Sequence, residues 1–343
     1  MGEHAVVYGR PALVAALDLR LTVRVAPCPG GAVRLDLPGL DHAEETSWEA
    51  ILAYARAARE SWDAYSREPA PERFRAVRGE DPAHVVKVAL GETADEPSPP
   101  GLALRIDSQL PIGSGFGSSA ATAVGVIAGY LACRGAALDP LRVEGLALEV
   151  ERRQHGLPSG VDSATVLFGG LLWARRLPAG GLEMERLALA SPLLRRLRVV
   201  DTGTPPEPTG AVVAAVRARR DRDPAGHDRI LDRIEAATRA LRAQLERPAE
   251  EAAVTLELIR ECQDCLEELG VVPDAVRSLV RRVAAAGGAA KVSGAGSLAG
   301  PGAGSLLIYH PAPEQIASWP FLRSFPFHPV RLGADGLRRE PDA

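Results

Sequence analysis

A segment rich in glycine and serine is where the residue types and spacing of this sequence most clearly indicate chemistry. Its members are Pro111, Gly113, Ser114, Gly115, Phe116, Gly117, Ser118 and Ser119. Glycines at alternate positions let a backbone turn tightly and approach a ligand closely. The serines open an apolar run that predicts a helix, and the free N–H groups of a helix N-terminus attract phosphate. A hydroxyl there can also bind Mg²⁺, so the segment predicts a phosphate-binding loop with a metal ligand.

Two familiar nucleotide-binding loops differ from this segment. A P-loop of the Walker type requires a lysine after its last glycine, and Ser118 follows Gly117 here. The dinucleotide-binding fingerprint requires two residues between its second and third glycines, and only Phe116 separates Gly115 from Gly117. Both classes are therefore excluded for this loop.

Two carboxylates flank a turn further along the chain. Glu151 falls near the end of a predicted helix, and Asp162 follows a Pro-Ser-Gly turn at 158–160. Phosphoryl transfer needs a carboxylate for the metal and a group that accepts or orients the hydroxyl proton. Glu151 and Asp162 are candidates for these two roles, although a helix cap or a solvated charge remains the alternative for Asp162.

A second glycine-rich loop spans 291–304 and contains Gly294, Ala295 and Gly296. Its glycine spacing partly matches a dinucleotide-binding turn, but Pro301 prevents the helix that such a turn requires. The loop therefore favours a position beside a substrate or a phosphate, with a plain linker as the alternative.

The elements that must position these residues follow from hydrophobic periodicity. Alternation predicts strands, two of which (19–26 and 33–37) form a hairpin at a Pro-Gly-Gly turn; the others lie at 102–107, 168–176, 197–201 and 305–309. Helical patterns occupy 49–68, 81–90, 119–133, 140–153, 209–220 and 227–245, followed by two more up to residue 286. Strands and helices do not alternate regularly, which indicates the α+β class.

The length of the chain and its net charge limit the classes of protein to which it can belong. A chain of 343 residues suggests about two domains, and a net charge of −4 gives no field that favours nucleic acid or anionic membrane. No apolar run reaches the ~18 residues of a membrane span, and no leader is visible, so we expect a cytoplasmic protein. Cys262 and Cys265 form a single CxxC on a predicted helix. This arrangement favours packing in the core over metal binding or redox chemistry.

Taken together, the motifs resemble those of the GHMP kinases, a family of small-molecule kinases. The glycine-serine segment is similar to that family's ATP loop, and 291–304 is similar to its C-terminal glycine motif. The opening run 2–9 and the run 155–162 most resemble the mevalonate kinase branch. The resemblance covers nearly the whole chain, with the motifs in the family's order.

The resemblance implies a fold of two α+β domains with the active site in the cleft between them. We place the N-terminal ATP-binding domain at 1–178 and the C-terminal domain at 179–330, followed by a polar tail at 331–343 that we expect to be frayed. ATP and Mg²⁺ are the implied cofactors, with Gly113 to Ser119 holding the triphosphate. The other implied roles are metal binding by Ser119 and Glu151, proton acceptance by Asp162, and substrate binding by Glu3, His4, Thr209, Gly294, Ala295 and Gly296.

The implied reaction is ATP-dependent phosphorylation of mevalonate to 5-phosphomevalonate. The alternatives are another GHMP activity such as phosphomevalonate kinase, or a catalytically impaired binding protein on the same fold. A small-molecule substrate is expected, without nucleic acid or membrane as a partner, and the resemblance leaves a homodimer open.

Two departures from the family's pattern stand out. Mevalonate kinases carry a lysine in a strand just before the Gly-Glu-His segment, whereas Gly2 here follows Met1 directly. We therefore expect the first strand to be missing and hypothesise that the natural start lies upstream, since neither Lys87 nor Lys291 falls in a segment expected to replace that lysine. The C-terminal glycine motif is also longer than usual.

Overall fold

A computed structural model describes the chain with short gaps. The described residues are 1–68, 71–96, 99–111, 113, 115–156, 158–179, 181–188, 191–328 and 330–340. Ser114 of the predicted phosphate loop lies outside them. Within the described part of the chain, no helix combines the length and the apolar character that crossing a membrane requires.

The strands and helices are labelled in chain order. The strands are β1 (Pro11–Ala15), β2 (Leu21–Pro27), β3 (Ala32–Leu37), β4 (His42–Ser47), β5 (Leu102–Ser108), β6 (Leu171–Arg176), β7 (Leu182–Arg186), β8 (Leu197–Asp201), β9 (Ala289–Val292), β10 (Ser305–Tyr309) and β11 (Phe327–His328). The helices are α1 (Trp48–Arg67), α2 (Pro71–Arg78), α3 (His84–Thr93), α4 (Ser118–Cys133), α5 (Pro140–His155), α6 (Val161–Phe168), α7 (Thr209–Arg222), α8 (Pro224–Glu246), α9 (Ala252–Glu268) and α10 (Asp274–Ala285). This mixture confirms the predicted α+β class.

The chain forms two compact units, and each is assembled from separate segments. The first unit comprises 1–18, 111–116 and 169–336, and the second comprises 19–110, 117–168 and 337–343. The predicted division after residue 178 differs from this, because that point lies in the turn between β6 and β7. These strands pair antiparallel, and the amide of Leu177 donates to the carbonyl oxygen of Gly181 across the turn.

The first unit contains two sheets and α7 to α10. One sheet has the order β1-β6-β7, and the other has the order β11-β8-β10-β9 with antiparallel pairing throughout. Helices α9 and α10 pack on β9, which carries Lys291. Cys262 and Cys265 of α9 are buried in the hydrophobic core and form no disulfide, in agreement with the predicted core packing.

The second unit packs α1 to α6 with one sheet of the order β2-β5-β3-β4. The predicted β2–β3 hairpin is wrong, because β5 lies between these strands, antiparallel to β2 and parallel to β3. Strand β3, with its alternating apolar residues, is hydrogen-bonded along both edges, to β5 on one side and to β4 on the other. A turn-like sequence before a strand therefore did not specify its neighbour.

Helix α4 lies close to β2 because glycines occupy its contact face. A Cβ atom at Gly125 would lie 2.7 Å from Cγ2 of Val23, and one at Gly129 would lie 2.9 Å from Cγ2 of Val25. Both distances are shorter than real Cβ contacts. The close packing fixes the axis of α4 and therefore the position of its N-terminal serines.

The expectation of a frayed tail is wrong for the residues from 331 to 337. Asp18 accepts hydrogen bonds from the backbone and side chain of Arg331, and the amide of Gly333 donates to the carbonyl oxygen of Ala16. The amide of Leu337 donates to the carbonyl oxygen of Leu167. Backbone pairing thus holds a polar stretch that has no hydrophobic periodicity, and 341–343 lie outside the described residues.

Candidate active site

Three helices of the second unit bring Ser119, Glu151 and Asp162 together. Ser119 lies in the first turn of α4, Glu151 in the last turns of α5, and Asp162 in the first turn of α6. Helix α4 packs against both α5 and α6. Asp139 caps the start of α5 by accepting from the amide of Leu141, with Pro140 as the first helical residue, as the sequence predicts.

Glu151 is a buried carboxylate that interacts directly with Ser119. The Ser119 hydroxyl donates to Oε1 of Glu151 at 2.5 Å, and Glu151 is only 3% exposed. Burial raises the pKa of Glu151 to about 7, and the hydrogen bond from Ser119 offsets only part of that rise. Nε2 of His155, one turn further along α5, lies 3.7 Å from Oε2 of Glu151.

Part of the Asp162 side chain is exposed to solvent, but the protein that surrounds its carboxylate gives it an unusual charge environment. Desolvation raises its pKa, the carboxylate of Glu151 raises it further, and His155 acts in the opposite direction. A carboxylate whose pKa is moved upwards is a better proton acceptor at neutral pH than an ordinary aspartate. Glu151 and Asp162 therefore form an interacting pair. Such a pair can assign metal binding to one carboxylate and proton acceptance to the other.

The start of α4 is arranged to bind an anion. Gly113, Gly115 and Gly117 adopt positive φ angles of 77°, 74° and 74°, a conformation that favours glycine. Gly117 is the N-cap residue and supplies no side-chain acceptor to the amides of the first turn. Those N–H groups remain available to a ligand, and the helix dipole favours a negative charge there.

The two glycine-rich loops meet within the first unit, a contact that was not predicted. A Cβ atom at Gly115 would lie 3.6 Å from the carbonyl oxygen of Ser293, and one at Gly294 would lie 3.7 Å from the carbonyl oxygen of Gly115. The chain passes from the first unit to the second between Phe116 and Gly117. Gly115 and Gly294, separated by almost 180 positions in the sequence, thus lie next to each other.

Glu3 and His4 pack against the C-terminal glycine loop in the first unit. Nε2 of His4 donates to the carbonyl oxygen of Ala295 at 2.9 Å, although His4 has a positive φ of 59° that side chains disfavour. Lys291 donates from Nζ to Oε1 of Glu3 at 2.5 Å. The predicted substrate residues Glu3, His4 and Ala295 therefore lie together.

Further contacts hold the C-terminal glycine loop in one conformation. Ser297 donates from Oγ to Oε2 of Glu207 at 2.7 Å. A Cβ atom at Gly296 would lie only 2.2 Å from the carbonyl oxygen of Val271, so this position accepts glycine alone. Thr209, another predicted substrate residue, is exposed at the start of α7, two positions after Glu207.

Sequence reasoning missed His155, Lys291 and Glu207 as members of these groups. His155 is one helical turn from Glu151, a spacing that indicates contact in any helix. Lys291 is one of only two lysines in the chain, and a charge inside an apolar strand was a usable signal. Glu207 lies in a proline-rich stretch whose partner is 90 positions away in the sequence, and no local pattern indicates that contact.

One other charged cluster has the composition of a metal site. His42, Glu44 and Asp81 form the single group of three such side chains among the described residues. The ammonium of Lys87 lies 2.8 Å from Glu44 and 2.6 Å from Asp81. A single lysine therefore pairs with both carboxylates, which makes the cluster an ion-pair network.

Comparisons with known proteins find similarity to one family of small-molecule kinases. A family model described as the GHMP kinases N terminal domain matches residues 83–170. Mevalonate kinase from Bos taurus is 31% identical over 339 residues, covering 90% of this chain and 83% of that protein. The crystal structure of Methanococcus jannaschii mevalonate kinase superposes with a TM-score of 0.70 at 19% identity, covering 96% of this chain and 94% of that one. The structure of L. major mevalonate kinase in complex with R-mevalonate gives a TM-score of 0.68 at 21% identity, covering 98% and 94%.

Proposed function

Because this chain belongs to the mevalonate kinases of the GHMP kinase family, we propose that it transfers the γ-phosphoryl group of ATP to the 5-hydroxyl of mevalonate. The observation that carries the proposal is the contact between Ser119 and Glu151, with Asp162 beside them and the uncapped start of α4 next to Ser119. This is the set of groups that phosphoryl transfer requires, namely an anion site, a metal ligand and a proton acceptor.

The predicted ATP loop is supported by the backbone at the start of α4. Free amides at a helix N-terminus bind phosphate through hydrogen bonds and the helix dipole. The positive φ angles of the described glycines leave no Cβ atoms in the way. The residues proposed to hold the triphosphate are Pro111, Gly113, Ser114, Gly115, Phe116, Gly117, Ser118 and Ser119.

Ser119 and Glu151 suit a magnesium ion. Both offer oxygen ligands, which hard cations prefer. Glu151 is a buried carboxylate with no lysine or arginine beside it among the described residues, and such a group is costly unless a cation accompanies it. When bound there, Mg²⁺ would neutralise charge on the phosphates of ATP.

Asp162 is the proposed proton acceptor. As the alcohol oxygen bonds to the γ-phosphorus and the bond to the bridging oxygen of ADP breaks, the hydroxyl proton passes to a carboxylate oxygen of Asp162. Its raised pKa favours this transfer. Glu3, His4, Thr209 and the loop residues Gly294, Ala295 and Gly296 are the proposed substrate-binding groups.

Ser119→Ala tests the metal assignment. The variant loses the hydroxyl that contacts Glu151, so the Mg²⁺ concentration giving half-maximal rate should rise roughly 10-fold, the low end for losing a partner of a metal ligand. A Mg²⁺ titration at saturating mevalonate measures this. Ser278→Ala, which removes an exposed hydroxyl bonded to its own helix backbone, is the control and should match the parent. If the titration of Ser119→Ala overlays that of the parent, Ser119 has no role in metal binding and is only a residue of the first helical turn.

A panel of small alcohols tests the proposed reaction. ADP formation is measured with mevalonate, phosphomevalonate, galactose, homoserine and no acceptor. We expect kcat/KM for mevalonate to exceed that for every other acceptor by at least ~100-fold, since a site built for one set of hydroxyls rejects analogues that lack them. Preference for another alcohol would indicate a different activity within the GHMP kinase family. If no acceptor gives ADP, the chain is instead a binding protein. A cytoplasmic location and a homodimer stay predictions.

A further inference from the structure

Lys291 is an unusual residue in the interior of the first unit. It lies in β9 between Ala290 and Val292, and its side chain is 0% exposed. A buried ammonium is unfavourable unless it is paired and hydrogen-bonded. The chain has only two lysines. A lysine that is buried in a strand therefore indicates a function that arginine or an apolar residue would not perform.

Glu3 supplies the negative charge that pairs with Lys291. Nζ of Lys291 donates to Oε1 of Glu3 at 2.5 Å and to the carbonyl oxygen of Val292 at 2.6 Å. The other carboxylate oxygen, Oε2 of Glu3, is buried and has no hydrogen-bond partner among the described residues. A buried acceptor without a donor is unfavourable in the folded protein, which indicates that a ligand supplies the missing donor.

The backbone on both sides of Glu3 is held in place. Gly2 has a φ of 97°, and a Cβ atom there would lie 2.6 Å from Cα of Ala12. His4 is bonded to Ala295 and also has a positive φ. The backbone that carries Glu3 is therefore held in one conformation, and the hydrogen bond from Lys291 orients its carboxylate.

Four charged or titratable groups surround the Glu3 carboxylate. They are Lys291 of β9, the Met1 amino group at 3.6 Å, Cys262 of α9, and His4. Burial alone would raise the pKa of Glu3, but the charge of Lys291, helped by the Met1 amino group, lowers this pKa to about 2. Burial lowers the pKa of His4 and raises that of the Cys262 thiol, so both are uncharged near pH 7.

We propose that Lys291 is a positioning residue that keeps Glu3 ionised and oriented, so that Oε2 of Glu3 accepts a hydrogen bond from a hydroxyl group of the alcohol substrate. This rests on the proposed function only in taking an alcohol as the substrate. An ionised acceptor makes a shorter and stronger hydrogen bond than a neutral carboxyl group. Lys291 thus acts on substrate affinity through Glu3, without touching the reacting atoms.

Lys291→Met tests the proposal because methionine keeps the length of the side chain and removes its charge. The KM for mevalonate should rise at least ~10-fold, equivalent to about 1.4 kcal/mol, while the KM for ATP stays within a factor of about two of the parent. Without Lys291, burial dominates the pKa of Glu3. The ratio of variant to parent KM should therefore increase as the pH falls from 8 to 5.5, a change that a purely structural defect would not produce.

Two further variants keep the test decisive. Lys87→Met removes the other paired lysine, which lies in the second unit, and should leave both KM values unchanged. Glu3→Gln/Lys291→Met replaces the buried ion pair by neutral groups, an exchange that proteins often tolerate. If the double variant folds, as its melting temperature shows, we expect weak mevalonate binding without the added pH dependence.

The outcomes separate this proposal from the proposed function. If the parent phosphorylates mevalonate and either Lys291→Met or the folded double variant keeps the parent KM, the role of Lys291 is overturned while the activity stands. If the parent prefers another alcohol, the same variants are measured with that alcohol. A raised, pH-dependent KM there would support Lys291 although the choice of mevalonate has failed.

Discussion

Replacing Asp162 with asparagine is expected to lower kcat by at least ~10²-fold, the low end for a positioned acid–base group. The substitution keeps the shape of the side chain and removes its ability to take the hydroxyl proton. Binding of ATP and of mevalonate should stay within a few-fold of the parent, because neither depends on that proton. Single-turnover kinetics, with calorimetric binding of each substrate, measure these quantities separately.

The folding of this variant is expected to be normal. The raised pKa of Asp162 shows that its environment disfavours the charge, so a neutral amide should not lower the melting temperature at pH 8. A kcat within a factor of a few of the parent, in a folded variant, would remove Asp162 from the reaction. A kcat loss accompanied by unfolding would instead be a structural effect, which is why the melting temperature is measured in parallel.

Glu151→Gln is expected to separate stability from activity. Loss of the metal-binding carboxylate should lower kcat/KM for ATP by at least ~10²-fold, the upper part of the range for removing partners of a metal site. In the absence of Mg²⁺ and ATP the same variant should be more stable than the parent at pH 8, by on the order of 3 kcal/mol. Glutamine removes a buried charge that the folded protein tolerates poorly.

The direction of the pH effect follows from the pKa of Glu151. Its folded pKa of about 7 lies above the ordinary value of 4.5, so the folded state binds more protons than the unfolded state between these values. Stability of the parent should therefore fall as the pH rises from about 4.5 to 7 and then level off. Glutamine abolishes this contribution. Denaturant unfolding of both proteins at pH 5 and pH 8 measures it, and an equal gap at the two pH values would contradict the assignment.

Local signals in the sequence predicted the site residues that one helix or turn positions. Asp139 and Pro140 mark the start of α5, and the length of that helix places Glu151 at its end. The serines after Gly117 mark the start of α4. Each of these features depends on neighbours within a few positions, where capping and backbone preferences decide the structure.

Contacts between distant segments were beyond the same reasoning. Lys291 and Glu3 are 288 positions apart, and their pairing depends on how β9 and the first residues pack around α9. The insertion of β5 between β2 and β3 has the same origin, because strand alternation indicates a face and not a neighbour. Each of the two units is built from separate stretches of the chain. This division also follows from long-range packing, and the amino-acid composition near residue 178 carries no information about it.

Phosphorus NMR of a reaction containing ATP, Mg²⁺ and mevalonate tests most directly whether this chain phosphorylates the 5-hydroxyl. We predict one 5-phosphomevalonate for every ADP, with neither formed when mevalonate is omitted. ADP released with inorganic phosphate, a phosphate at another position, or no turnover by the folded protein would contradict the proposed function.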